Sequence, residues 1–313
     1  MQKHNPLRLG LEIGGTKLQV GVGTADGRLL TPLVRRTVVQ AEGAEGIRRA
    51  LAGMVTEALA SAGQTLAQVE QVGIGFGGVL DAQRGVTRKS FQIDGWDEFP
   101  LKAWAEAQWG RPVVMENDAS VAGLAEALHG AGRGYRRVFY MTIGSGIGGG
   151  WVVDGRVDGG QGLGAAELGH TWVTDPRSGK PIELEQFASG WGIGQRARRA
   201  AESATTQLTR LAGSVADIDA RTVHAAAGQG DAVAQTILAE TCEALGCAIA
   251  NVIALLHPQR VVIGGGVSLM GPLFWDGLRA AVGARAMPLF LPGADVVPAE
   301  LGEKVVVIGA LCL

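Results

Sequence analysis

Along residues 7–13, Leu7, Leu9, Leu11 and Ile13 alternate with Arg8, Gly10 and Glu12, the period of two that puts successive side chains on opposite faces of a strand. Gly14 and Gly15 permit a turn. Leu18, Val20 and Val22 then resume the alternation, and Asp26-Gly27 marks a second turn before a third strand reaching about Val39. The period then lengthens. Ile47, Leu51, Met54, Val55, Ala58 and Leu59 recur at helical spacing, with Gly63 beyond them as a stop. Strands are predicted at about 71–76 and 112–116, and a helix from Asp118 through Val121, Leu124, Ala125 and Leu128.

The same order then returns. VFYMTIGSGIGGGWVVDGRVD at 138–158 runs strand, glycine turn, strand, Asp-Gly turn, strand, as LGLEIGGTKLQVGVGTADGRLL does at 9–30, and both place DGR after the second strand. This reads as an internal duplication of a three-strand meander with a glycine-rich first turn. Beyond 189 the pattern is helical, most clearly from about Asp231 to Leu256, where Pro258 follows. A buried strand is predicted at 260–266 and a helix from about Pro272, while VVVIGALCL at 305–313 fits strand or helix equally.

At 313 residues the chain has room for two domains at about 150 residues each. The pattern puts 1–118 plus 300–313 in a small N-terminal α/β domain and 119–299 in a larger one. Charged residues at 19% and apolar residues at 47% are close to the soluble average and suggest neither disorder nor a membrane protein. A net charge of −2 argues against a nucleic-acid partner, whose phosphates demand a basic surplus. The start, MQKHNPLRLG, lacks the apolar core of a signal peptide, so a cytoplasmic protein without a membrane partner is expected. Cys242, Cys247 and Cys312 are too few and too sparse for a disulfide framework or a zinc knot, and reduced, buried thiols are expected. Trp96, Trp104 and Trp109 can line an interface, although ordinary packing is the simpler reading. The 49 glycines fall in short clusters, which means tight turns and backbone that approaches something closely.

Each cluster has a structural explanation when taken alone. Gly14 and Gly15 can serve a hairpin only, Asp118 is at home as a helix N-cap, His170 after Glu167-Leu168-Gly169 can be a buried histidine, and Gly264–Gly266 can be a strand-to-helix turn. Together they fit one demand. Two glycine nests hold a polyphosphate through backbone amides, and a carboxylate at the strand-to-helix junction between the halves can take a proton from an acceptor hydroxyl. There is no GxxxxGK[ST] loop and no GxGxxG opening a helix, so Walker-type and dinucleotide-binding readings lose support.

With those residues in place, the chain resembles the ROK family of sugar kinases and sugar-responsive repressors. The motifs, in the family's order, are EIGGTK at 12–17, GIGFGGVLD at 73–81, ENDASVAGLAE at 116–126, TIGSGIGGG at 142–150, GAAELGH at 164–170, ELEQFASG at 183–190 and VVIGGGVS at 261–268. The resemblance implies an α/β, two-domain actin/hexokinase-like (ribonuclease H-like) ATPase fold with duplicated β-meander halves and an interdomain cleft. It implies that Asp118 is the catalytic base, and that Gly78, Asn117, Glu167, His170 and Glu185 bind the sugar. Gly14, Gly15, Thr16 and Lys17, with Thr142, Gly144, Ser145 and Gly146, match the two phosphate loops, and Gly265 and Gly266 the adenosine end of the nucleotide.

Three departures from the family pattern stand out. The first motif usually begins with aspartate, whereas Glu12 is one methylene longer; as an organiser of magnesium or of the phosphate loop its reach is changed. Gly77-Gly78 stands where the family's loop usually reads Pro-Gly. The stretch after His170, TWVTDPRSGKPIELEQ, carries none of the cysteines with which many members bind zinc, so no structural zinc site is expected and His170 needs another partner to orient its ring. The expected function is ATP- and Mg²⁺-dependent phosphorylation of the 6-hydroxyl of a hexose, glucose favoured, at the start of glycolysis. The alternatives are a catalytically weak sugar-binding regulator, which Glu12 keeps open, and a kinase using polyphosphate as donor. The family's repressors carry a DNA-binding segment before the first glycine motif, and about ten residues precede it here. Dimers are common among such proteins, which makes a homodimer the assembly to look for.

Overall fold

The structure, a computed structural model, describes residues 5–90 and 92–313; the head of MQKHNPLRLG lies outside them. The chain divides into two compact units. One holds the chain up to Arg136 with Gly150–Ala165 and Glu300–Leu313, and the other holds Arg137–Gly149 and Ala166–Ala299. The sequence pattern put the changes of domain at 118/119 and 299/300.

The first unit is built on a sheet of order β3-β2-β1-β4-β7, from β1 (Leu7–Ile13), β2 (Lys17–Thr24), β3 (Val34–Thr37), β4 (Gln71–Phe76) and β7 (Val113–Asn117). The first three form an antiparallel meander, and β4 and β7 add in parallel. A hairpin of β5 (Val79–Asp81) and β6 (Val86–Lys89) follows β4. Helix α1 (Gly43–Ser61) buries Ile47, Leu51, Met54, Val55 and Ala58 in the core formed by Leu9, Leu11, Ile13, Leu18, Val20 and Val22. Helix α2 (Leu101–Trp109) precedes β7, and α3 (Asp118–His129) leaves it directly.

The other sheet face is covered by α10 (Val305–Cys312), the segment whose pattern fits strand or helix. Its backbone sits on the sheet through glycines. A Cβ at Gly73 would stand 1.8 Å from Ala310 O, one at Gly10 2.6 Å from Val307 O, and one at Gly309 2.0 Å from Val121 O of α3. Part of the glycine excess therefore serves helix-on-sheet packing, beyond turns and ligand loops. Glu126 of α3 is fully buried and accepts the backbone amides of Ala131 (2.8 Å), Glu300 (3.0 Å) and Leu301 (2.8 Å), latching the segment that leads to α10.

The second sheet has the order β10-β9-β8-β13-β14, from β8 (Arg137–Ile143), β9 (Ile147–Val153), β10 (Arg156–Val157), β13 (Arg260–Gly264) and β14 (Asp295–Pro298). It repeats the first: a meander, then two strands in parallel. The Asp-Gly turns differ in detail. Asp154 and Gly155 both have positive φ, 51° and 72°, whereas in the first meander only Gly27 does, at 77°, in a longer loop. Beyond Ala166 come the hairpin β11 (Trp172–Thr174) and β12 (Pro181–Glu183) and helices α4 (Leu184–Ala188), α5 (Gly190–Ala201), α6 (Leu208–Ala212), α7 (Ala220–Gly228), α8 (Ala232–Leu256) and α9 (Gly271–Arg285). Helix α8 is long and apolar enough to cross a membrane by composition, but 67% of its most apolar window is buried in protein, and Asp231 caps it through Ala234 N.

Trp96 and Trp109 are buried and Trp104 is half-buried, which bears out ordinary packing over an interface; the exposed tryptophans are Trp172 and Trp191, at 64% and 53%. One expectation from the pattern needs correction. Of the three thiols, all free, only Cys242 is buried, and burial pushes it up to about 12; Cys247 and Cys312 are half-buried.

Candidate active site

In the first unit the site is assembled where β1, β4 and β7 end side by side. The β1–β2 turn closes through Gly14 N to Lys17 O at 3.1 Å, and Gly77 N, just past β4, donates to Ile13 O at 2.8 Å. A Cβ on Gly77 would stand 3.2 Å from Asp118 Oδ2, 3.3 Å from Ile13 O and 3.4 Å from Gly14 Cα. The carboxylate of Asp118 thus faces the first glycine turn across a backbone with no side chain. Gly78 is equally hemmed in, since its Cβ would lie 2.5 Å from Lys89 O.

The N-cap reading of Asp118 is corrected by its neighbour. Asn117 caps α3, its Oδ1 accepting Ala119 N (2.9 Å) and Ser120 N (3.2 Å), while its Nδ2 donates to Gly78 O at 3.2 Å. Asp118 Oδ1 also accepts Ala119 N, leaving Oδ2 toward Gly77. The asparagine supplies most of the cap and ties the helix to the Gly77-Gly78 loop; the aspartate keeps one oxygen aimed at the glycine turn.

Glu12 is 5% exposed. Its Oε2 accepts from Gln19 Nε2 and its Oε1 lies 3.3 Å from Lys17 Nζ. Burial raises its carboxyl above the usual range, with Lys17 and Gln19 opposing. Glu116, passed over by motif reasoning, is likewise raised by burial, and its Oε1 accepts Asn117 N at 2.8 Å.

In the second unit, the β8–β9 turn carries Thr142, Gly144, Ser145 and Gly146. Gly144 N donates to Gly146 O at 2.9 Å, and Gly144 O accepts Gly190 N at 2.8 Å from the start of α5. Glu185 of α4 accepts Ile147 N at 2.7 Å, and its Oε2 stands 2.5 Å from where a Cβ on Gly146 would lie. The turn at 168–170 is pressed on the same loop, for a Cβ at Gly169 would stand 2.2 Å from Ile147 O. So Glu167, His170 and Glu185 gather beside the second glycine turn. The carboxyl of Glu167 is raised by its partial burial, His170 opposing and Glu185 adding to the rise. Gly265, with φ of 84°, crosses the start of that turn so closely that a Cβ would lie 2.4 Å from Ile143 O, and Gly266 follows with open space around it.

His170 is 48% exposed, which overturns the buried-histidine reading, and its Nδ1 faces Glu183 Oε2 at 3.8 Å. Glu183 is a carboxylate that the ring of His170 faces; its place in ELEQFASG was visible, its facing of His170 was not. Among the described residues no group of three or more His, Cys, Asp and Glu side chains could hold a metal ion.

Two five-stranded sheets of one order, each carrying a glycine turn, make up the actin/hexokinase-like two-domain fold, and the glucokinases and hexokinase that resemble this chain along its length put it in the sugar-kinase class. The family model described as "ROK family" matches residues 8–313, and the chain belongs to that family. A glucokinase of Thermotoga maritima is 35% identical over 309 residues, covering 96% of this chain and 95% of the relative. A ROK family glucokinase from Streptomyces griseus, solved with glucose and AMPPNP, is 34% identical with a TM-score of 0.82, covering 97% and 98% of the two chains. A ROK hexokinase from Thermus thermophilus is 32% identical with a TM-score of 0.79, covering 98% and 97%.

Proposed function

We propose that this chain transfers the γ-phosphoryl group of ATP to the 6-hydroxyl of a hexose, with glucose the favoured acceptor and Asp118 the general base. The observation that carries the reading is the placement of Asp118 Oδ2 against Gly77, 3.2 Å from where a side chain there would begin and beside the backbone of Gly14. An acid so placed can accept the hydroxyl proton beside a turn whose amides suit a phosphate. Kinship with a glucokinase solved with glucose and AMPPNP supports the same donor and acceptor here.

The remaining roles follow from chemistry. A hexose offers hydroxyls only, so the amide of Asn117, the backbone at Gly78, and the Glu167, His170 and Glu185 side chains would pair with them, and each mismatched epimer leaves a polar group unpaired at about 1–3 kcal/mol. Gly14–Lys17, Thr142 and Gly144–Gly146 would hold the phosphates and Gly265-Gly266 the adenosine end. A magnesium ion fits an all-oxygen donor such as Glu12. Both its oxygens already have partners, so Glu12 would hold the ion's water shell, as suits an ion that keeps several waters. When bound, the ion neutralises charge on the phosphoryl group. The reading makes the protein a cytoplasmic enzyme of carbohydrate metabolism.

A coupled assay of ADP release over a panel of hexoses, with and without Mg²⁺, and with polyphosphate in place of ATP, tests it. Turnover with ATP and glucose that needs Mg²⁺ is expected. Sugar binding without turnover would leave a regulator, and turnover with polyphosphate alone would change the donor.

A further inference from the structure

The extra methylene of Glu12 has a partner. In the antiparallel register of β1 and β2, Glu12 lies directly opposite Gln19. Gln19 is fully buried, and its Nε2 donates twice: to Glu12 Oε2, and to Glu303 O at 2.8 Å in the turn before α10. Among the described residues its Oε1 is buried with no hydrogen-bond partner. An orphaned buried acceptor costs free energy. The amide nevertheless keeps this face, because turning it over would set its oxygen against two acceptors. Glu303, in turn, pairs through its carboxylate with Arg35 near the end of the sheet. The amide is therefore a strut, fixed at the Glu303 carbonyl and pressing on the carboxylate of Glu12.

A glutamate has one more rotatable bond than an aspartate, and freedom at that bond has to be removed before the carboxylate can hold a fixed place. Gln19 takes one oxygen and Lys17 the other. On the kinase reading, on which this rests, we propose that Gln19 is the positioning residue that fixes Glu12, and through it Lys17, at the first phosphate loop, so that the Glu12–Gln19 pair takes the place of a shorter aspartate.

The test is Gln19→Met in the full chain, which keeps the buried volume and removes the donor, read by calorimetric affinity for Mg–ADP and, separately, for glucose. About a tenfold loss of Mg–ADP affinity is expected, with glucose affinity within twofold of the parent. The variant E12D/Q19M, whose shorter acid needs no strut, is expected to recover Mg–ADP affinity to within about threefold of the parent. A residue that only packs would not be rescued by a change at position 12. Should Gln19→Met fail to fold by its thermal transition, Gln19→Ala and E12D/Q19A carry the same comparison. Unchanged Mg–ADP affinity in the single variant, or a double variant as weak as the single, overturns the inference alone. A parent chain that binds no Mg–ADP overturns the kinase reading with it.

Discussion

Asn117 and Asp118 are adjacent in sequence yet have been given separate work by the first turn of α3. The amide of Asn117 closes the helix start, and a carboxylate oxygen of Asp118 faces the glycine turn. Replacing Asp118 by Asn keeps shape and removes the carboxylate proposed as the base. We expect kcat to fall by about 10² or more with glucose KM within a few-fold, in the ADP-release assay. Glu116 gives a second expectation. Burial raises its carboxyl above 4.5, so the folded chain holds that proton more tightly than the unfolded one. Its contribution to stability is full below the ordinary carboxylate value and is lost as pH rises through the raised one. Glu116→Gln should retain the bond from Asn117 N and flatten this slope, with a melting temperature higher than the parent's by about 1–3 °C at pH 8 and no higher at pH 4, in parallel thermal melts. Motif order in the sequence locates Asp118, Glu12 and the glycines. It does not locate Gln19, because a glutamine inside an alternating strand reads as a solvent-facing position. The signal was the hairpin itself: the four residues Gly14–Lys17 between the paired Ile13 and Leu18 already set Glu12 opposite Gln19.

At the level of elements, α10 shows where periodicity fails. VVVIGALCL is apolar all round, and a helix buried on most sides has no polar stripe to give a period of 3.6. What decides for helix is the floor beneath it, the glycines of β1 and β4, which admit a helix backbone and would admit nothing bulkier. Gly73→Ala, with its new carbon 1.8 Å from Ala310 O, should therefore destabilise by about 3 kcal/mol or more, measured by denaturant unfolding, whereas alanine at Gly53, with open space around it, should not. Helix α2 escaped the pattern for another reason: Leu101, Ala105 and Trp109 are its buried positions, one per turn over nine residues, too few to stand out. The meanders were legible because each strand alternates and each turn carries glycine or Asp-Gly.

On the scale of the molecule, the recurrence of one strand order in two sheets is the most informative feature, and the sequence carried it as a repeated order of elements more than as repeated residues. A ligand that binds only the folded chain stabilises it by about 2.7 kcal/mol at a hundred times its Kd. The favoured hexose at that excess should raise the melting temperature by several degrees in a thermal-shift screen, and an epimer that leaves a hydroxyl unpaired should raise it less at equal concentration. The placement of α10 bears on how the chain comes to be folded at all. Its residues belong to the first unit, yet a ribosome makes them only after the whole of the second. The nascent first unit must therefore wait with the glycine floor of its sheet uncovered, and the usual order of maturation, amino-terminal part first, is reversed at its final step.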